Sequence, residues 1–291
     1  MARSNKLYNN LAIIALISTT VLWGTTFIIT KTLTQDIPIF FYLGMRYLIA
    51  IIGFLPFLYR IKKINIKLVI AGVFTGVIYF LAMLFQTYGL QTTTAGKAGF
   101  ITGLSTIMVP LISWLFYKKK INLRIWIGVI LASMGMGFLL LESEFNLNIG
   151  DLLVLVCAVF CALYIIFNDV YVKVHDIYLY TIVQLLVLII TCFSSSIILK
   201  EPANTPNFSI SLWIIMLYMG FGATTLTFLF QNWGQKYQDS SIAAIIFALE
   251  PVFAALFGFL LGNEILTIPN MLGMGLIFIA IILAVWNNER K

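Results

Sequence analysis

Charge is scarce in this chain: 18 Lys and Arg, 11 Asp and Glu and one His in 291 residues. The single histidine, His175, sits beside Asp176 in a short polar connection. No paired carboxylates and no His/Cys/Asp/Glu cluster occur at catalytic or ligand spacing, so no catalytic set and no metal site are expected. The three cysteines, Cys157, Cys161 and Cys192, all fall within apolar runs. Cys157 and Cys161 share a helix face, but two thiols do not complete a metal site and read as buried structural groups. No Gly-rich phosphate loop, low-complexity tract or polar module interrupts the sequence, and no cofactor is expected.

Hydrophobic residues are abundant instead, at 61% against 10% charged. Apolar runs near 20 residues recur, and one such run as a helix covers a hydrocarbon core of about 30 Å. Backbone amides in lipid must bond within their own segment, which makes the runs helices; barrel strands would be shorter and would alternate. The chain therefore reads as an all-α polytopic membrane protein. Ten spans are expected, at roughly 11–30, 38–58, 66–88, 95–117, 125–141, 150–169, 177–199, 210–231, 240–262 and 268–286. The first run is long and no small-residue cleavage site follows it, so it reads as a retained helix.

The net charge of +7 reports topology. With the N-terminus in the cytoplasm, the inner loops and ends hold Arg3, Lys6, Arg60, Lys62, Lys63, Lys67, Lys118, Lys119, Lys120, Arg124, Lys173, Lys236, Arg290 and Lys291. The outer loops hold only Lys31 and Lys200, with Lys97 near the outer end of the fourth span. This positive-inside bias puts both termini in the cytoplasm and gives no reason to expect a nucleic-acid partner. Trp126, Trp213 and Trp286 suit interfacial anchoring.

An offset of 145 residues superimposes the chain on itself. It carries Gln86-x-Tyr88-Gly89 onto Gln231-x-Trp233-Gly234, and Ala98, Ile101, Leu104, Leu111 and Gly128 onto identical residues. The acidic stretch with Glu142, Glu144 and Asp151 is the natural seam, giving halves 1–145 and 146–291. Five spans per half is an odd number, so the second copy enters from the opposite side: two inverted five-helix repeats. The tethers after the fourth and ninth spans, Lys118-Lys119-Lys120 and Gly262-Asn263-Glu264, differ in charge as an inversion requires.

Polar stripes at i, i+4, i+7 and i+11 mark one helix face. Span one carries Thr19, Trp23, Thr26 and Thr30; span six carries Cys157, Cys161, Tyr164 and Asn168. Span three carries Thr75, Tyr79, Ala82 and Gln86; span eight carries Gly220, Thr224, Thr227 and Gln231. Single threonines suit interhelical packing, whereas Trp23, Thr26, Tyr79, Gln86, Tyr164, Asn168 and Gln231 are the candidates for lining a shared cavity. Trp23 beside Gly24 suits a gate, a stacking surface or core packing. Arg46 and Glu250 lie deep in spans two and nine, where a charge costs about 3 kcal/mol on insertion scales. They can pair with each other or meet a charged group of a solute. Pro110 and Pro251 predict bends in spans four and nine, at different levels.

Several stretches resemble the EamA-type group of the drug/metabolite transporter superfamily. Trp23-Gly24-Thr25-Thr26-Phe27 is similar to its opening W-G-x-x-F, and Arg46-Tyr47-Leu48-Ile49-Ala50 to its R-[FY]-L-I-A. Thr94 to Thr102 with Val109-Pro110-Leu111, and Leu249-Glu250-Pro251-Val252-Phe253 with Gly262-x-Glu264-x-Leu266 and Gly273, resemble the fourth-span pattern and its second copy. Span six departs from it, with Cys161 to Tyr164 where many relatives carry a Trp. The resemblance implies a ten-helix bundle around a central cavity, with the fifth helix of each half peripheral. It also implies transport of small metabolites, with amino-acid export common among relatives. The resulting expectation is a secondary transporter in the cytoplasmic membrane, monomer or homodimer, moving a small polar solute by alternating access. Arg46 joins the cavity set, and Glu250, the only deep carboxylate, is the candidate for proton coupling or gating. A channel-like facilitator or scaffold is the alternative; an intramembrane enzyme lacks converging groups.

Overall fold

The computed structural model describes residues 2–118, 120–140, 148–201, 209–262 and 267–285. The Glu142 and Glu144 seam, Lys119, the Asn263-Glu264 turn, Trp286 and the basic C-terminus lie outside them. Among the described residues every regular element is helical. In chain order these are α1 (Ala2–Asp36), α2 (Ile39–Ile52), a 3-10 helix (Leu55–Lys63), α3 (Ile66–Leu90), α4 (Ala95–Gly103), α5 (Ser105–Tyr117), α6 (Leu123–Leu140) and α7 (Ile149–Val174). The rest are α8 (Ile177–Ile198), α9 (Ile210–Leu217), a π-helical segment (Tyr218–Leu226), α10 (Thr227–Tyr237), α11 (Ser240–Phe247), α12 (Leu249–Gly262) and α13 (Ile268–Val285).

Helix starts follow local chemistry. Asn65 accepts from the Leu68 amide, Thr94 from Lys97, and Asp176 from Tyr178 and Leu179, each a side-chain N-cap. Asn148 and Asp151 form a reciprocal capping box at the start of α7.

Among the described residues eight helical stretches are long and apolar enough to cross a membrane, so the protein is multi-pass. Two of the ten expected spans fall short by that measure. The helix of span five, Leu123–Phe138, is a shorter apolar one. Span two is only 14 residues of α2, about 21 Å, followed by the 3-10 helix after a bend of 74°. Pro56 in the first turn of the 3-10 helix prevents α2 from continuing, and the chain turns aside with Arg60, Lys62 and Lys63 in its last turn.

Helices pair across the two halves: α1 with α10, α3 with α7, α2 with α8, and α6 with α13. Exchanging the halves converts the first pair into the second and leaves the other two unchanged. Spans four and nine are interrupted at Leu104 and Ala248, one residue apart on the 145 offset. The expectation of different levels is therefore corrected. The interruptions fall where the two spans cross and not at the prolines' aligned positions: Thr106 Oγ1 donates to the Ala244 carbonyl at 3.0 Å, and Gly103 faces the Pro251 ring. Pro251 sits in the first turn of α12, where a missing N–H costs nothing, and Pro110 lies in α5 beyond the break.

The π-helical segment lies under α2 at glycine range. A Cβ on Gly220 would collide with Ile49 Cγ2, and one on Gly53 would meet Thr225 Cγ2 at 2.5 Å. Thr225 Oγ1 donates to the Ala50 carbonyl at 2.8 Å, so the same contact is also hydrogen-bonded. Gly220→Ala should cost about 1–3 kcal/mol through overpacking, read as a lower midpoint of thermal unfolding in detergent. Gly275→Ala in α13, where an added Cβ meets nothing within 4 Å, should leave that midpoint unchanged or raise it.

Candidate functional site

Midway along the bundle, α1, α2, α3, α4, α5, α7, α10, α11 and α12 enclose a cavity with about 550 Å3 of atom-free space, counted to its open edge. Its lumen is narrow, with room for a few waters. The candidates Trp23, Thr26, Arg46, Tyr79, Gln86, Tyr164, Gln231 and Glu250 all line it. The structure adds Met83, Thr102, Ser105, Cys161, Ile165 and Phe247. Met83 and Cys161 lie on the same faces as Tyr79 and Tyr164, a signal available in the helical spacing. Phe247 and Thr102 carried none, because the rotation of α4 and α11 about their axes is set by packing.

Aromatic rings form much of the wall. Trp23 lies 5.3 Å from Phe247, and Tyr79 stands 4.8 Å from Tyr164 and 5.0 Å from Phe228. Gly24, next to Trp23, lets α1 approach the Phe253 backbone of α12.

Arg46 extends from α2 onto the π-helical segment. Its Nε donates to Thr224 Oγ1 at 2.7 Å and an Nη to the Ala223 carbonyl at 3.1 Å. Thr224 in turn donates to the Met219 carbonyl five residues back, a spacing that belongs to the wider π turn. Arg46 and Glu250 share the cavity without pairing: among the described residues no ion pair joins either to another side chain. Glu250, only 8% exposed, stands in the first turn of α12, where the helix N-terminus favours negative charge. Gln231 is fully buried, and among the described residues neither its amide oxygen nor its nitrogen finds a partner. Buried amides are normally satisfied, so Gln231 is an unsatisfied polar group on the cavity wall. Gln86 donates only a long 3.3 Å bond to Thr102.

Asn168 is placed elsewhere, which corrects its assignment to the cavity. Its Nδ2 donates to Asn232 Oδ1 (2.8 Å) and Gln235 Oε1 (2.6 Å), and its Oδ1 accepts from Tyr180 (3.1 Å). The network continues through Tyr180 to Thr75 and from Gln184 to Thr75 and Tyr164. Asn168 lies one turn beyond Tyr164 on α7, below the cavity floor. Thr30, Thr75, Thr224 and Thr227 likewise bond within the bundle, as single threonines do in packed helices.

The bundle closes above and below the cavity by different means. At one rim, Asp151 accepts from Lys97 Nζ and Thr93 Oγ1, each at 2.6 Å, and Lys31 Nζ donates to the Thr93 carbonyl at 2.7 Å. There Gly89 and Gly150 bring α3 and α7 into backbone contact. At the other rim Gly234, the residue 145 after Gly89, abuts Leu16 and the Ala12 carbonyl of α1. Gln238 donates to the Asn9 carbonyl at 3.1 Å, Tyr8 stacks on Tyr237, and Lys173 bridges Asp169 and Asp239. His175 stacks near Tyr171, and its neighbour Asp176 pairs with Arg60 at 2.9 Å.

The pattern of a family described as the EamA-like transporter family matches the chain twice, over residues 10–141 and 148–286. A protein of Archaeoglobus fulgidus described as an uncharacterized transporter is 37% identical over 275 residues, covering 94% of this chain and 83% of its own. YoaV of Bacillus subtilis, also described as an uncharacterized transporter, is 26% identical and covers 96% of this chain and 98% of its own. A solved crystal structure shares the fold with a TM-score of 0.76 at 18% identity, covering 94% of this chain and 95% of that one.

Asn168→Ala should lower stability by about 1–3 kcal/mol by stranding buried amide partners. Because Asn168 is not on the cavity wall, solute affinity should be unchanged. A thermal-shift and binding pair of measurements separates the two; a selective loss of affinity would contradict this placement.

Proposed function

Because the chain belongs to the EamA-like transporter family, we propose that it is a secondary transporter exporting a small polar metabolite, an amino acid or related solute, across the cytoplasmic membrane. Ten helices act as two inverted halves, 1–145 and 146–291, with both termini cytoplasmic. The twofold family match, the exchange symmetry of the helix pairs and the side bias of Lys and Arg support this arrangement.

The observation that carries the reading is the midplane cavity with Arg46, Glu250 and Gln231 on its wall, where among the described residues the carboxylate has no ion pair and the amide no hydrogen-bond partner. A solute with an anionic group meets Arg46, which stays anchored on the π-helical segment. A cationic or donor group meets Glu250, and the amide of Gln231 supplies one donor and one acceptor. Trp23, Tyr79 and Phe247 cover the apolar part. Alternating access then requires the Asp151 rim and the Gly234 rim to open in turn. The first parts by breaking an ion pair and hydrogen bonds, the second by separating close helix backbones and stacked rings.

Glu250 is the group through which a proton gradient would act. Its copy in the first half is Ser105, also on the cavity wall, so one carboxylate serves both orientations. Protonated Glu250 releases a cationic group, and ionised Glu250 holds it.

Flux of a labelled amino-acid mixture into proteoliposomes tests this reading. Saturable flux with counterflow is expected; non-saturating flux would indicate a channel, and chemical conversion an enzyme. Glu250→Gln should abolish the dependence on an imposed pH gradient while counterflow persists, and unchanged dependence would contradict the coupling role. Gln231→Ala should raise KM about three- to tenfold, the loss of one hydrogen bond to the solute.

A further inference from the structure

Away from the central cavity, a second cleft opens at the rim where α5 ends and α6 begins. Trp114, Leu115, Lys118, Lys120, Ile121 and Trp126 line it. The two indole rings meet edge to face, 6.3 Å apart at 88°. Trp114 and Leu115 are each about half exposed, at 51% and 54%. Lys118 terminates α5 in the left-handed conformation, φ 49°, its backbone N–H returning to the Ser113 carbonyl. Lys118 and Lys120 are exposed, and no carboxylate among the described residues pairs with either. Arg124, exposed in the first turn of α6, adds a third cation beside the cleft.

Two halves of one recognition problem meet here. Half-exposed Trp114, with Trp126 partly buried against it, suits the depth at which hydrocarbon gives way to headgroups. Unpaired lysines at that depth attract anionic lipid. Other cations near this rim are taken up within the protein: Arg60 pairs with Asp176, and Lys173 with Asp169 and Asp239. We propose that this cleft is a binding site for the phosphate headgroup of an acidic phospholipid. The Lys118 and Lys120 ammonium groups contact the phosphate, and one acyl chain runs along Trp114, Leu115 and Trp126. The site lies on α5, whose other end carries Ser105 at the cavity, so a bound lipid braces the helix that the cavity shares.

The test reconstitutes the full chain in phosphatidylcholine vesicles doped with either brominated phosphatidylglycerol or brominated phosphatidylcholine. Acyl bromines quench nearby indoles. Half-quenching should require roughly tenfold less phosphatidylglycerol than phosphatidylcholine. Trp114→Phe/Trp126→Phe should remove that difference, and Lys118→Gln/Lys120→Gln, at exposed positions, should equalise the two lipids with an unchanged helical spectrum. Equal half-quenching of the wild type by both lipids would overturn the proposal, as would a preference retained in either double variant. Relief of the quenching by inorganic phosphate at matched ionic strength would also overturn it, assigning the site to a free anion.

Discussion

Everything near the centre of this protein depends on how Arg46 is held. A guanidinium at that depth is costly, and among the described residues it pairs with no carboxylate, so its donors go to backbone and hydroxyl oxygens. The π-helical segment supplies them: its wider turn presents the Ala223 carbonyl and Thr224 hydroxyl to Arg46. Gly220 and Gly53 then let α2 lie close enough for the reach to be made. The charge is fixed in place without being neutralised. In the transport proposed here, a cation held this way keeps its attraction for a solute while the helices around it move.

The same economy governs the two closures. Glycines 89 and 234, equivalent on the 145 offset, each sit where two helices approach closely, at opposite ends of the cavity. The polar partners around them differ. One rim relies on Asp151, Lys97, Thr93 and Lys31; the other on stacked tyrosines, Gln238 and the Lys173 bridge. Two closures that share a backbone device and differ in their side chains need not be equally stable. The asymmetry continues into the cavity, where Glu250 faces a serine equivalent.

Most of the helices and the internal offset were legible, because apolar length acts locally. Span two was overread because apolar composition continues past Gly53 and Pro56 while the helix does not. The level of the breaks in spans four and nine was misjudged because proline positions suggested it, whereas the crossing of Thr106 over Ala244 sets it. The π-helical segment left no signature, and the partners it meets lie in α2, some 170 residues earlier. Asn168 shared the polar face of Tyr164, and only the positions of Asn232, Gln235 and Tyr180 show it engaged. Periodicity gives the face of a helix, not the neighbour that face will meet.

The central claim is that the cavity opens to one side at a time. A chain with Cys157, Cys161 and Cys192 replaced by Ser and carrying Gln231→Cys offers one thiol on the cavity wall. Adding Lys97→Cys and Asp151→Cys allows that rim to be locked by a disulfide before a membrane-impermeant maleimide is applied from each side. Read on the peptide that carries position 231, the account predicts labelling from both sides when the lock is reduced, and from the Gly234 side alone when it is oxidised. Labelling from both sides with the rim locked would contradict it.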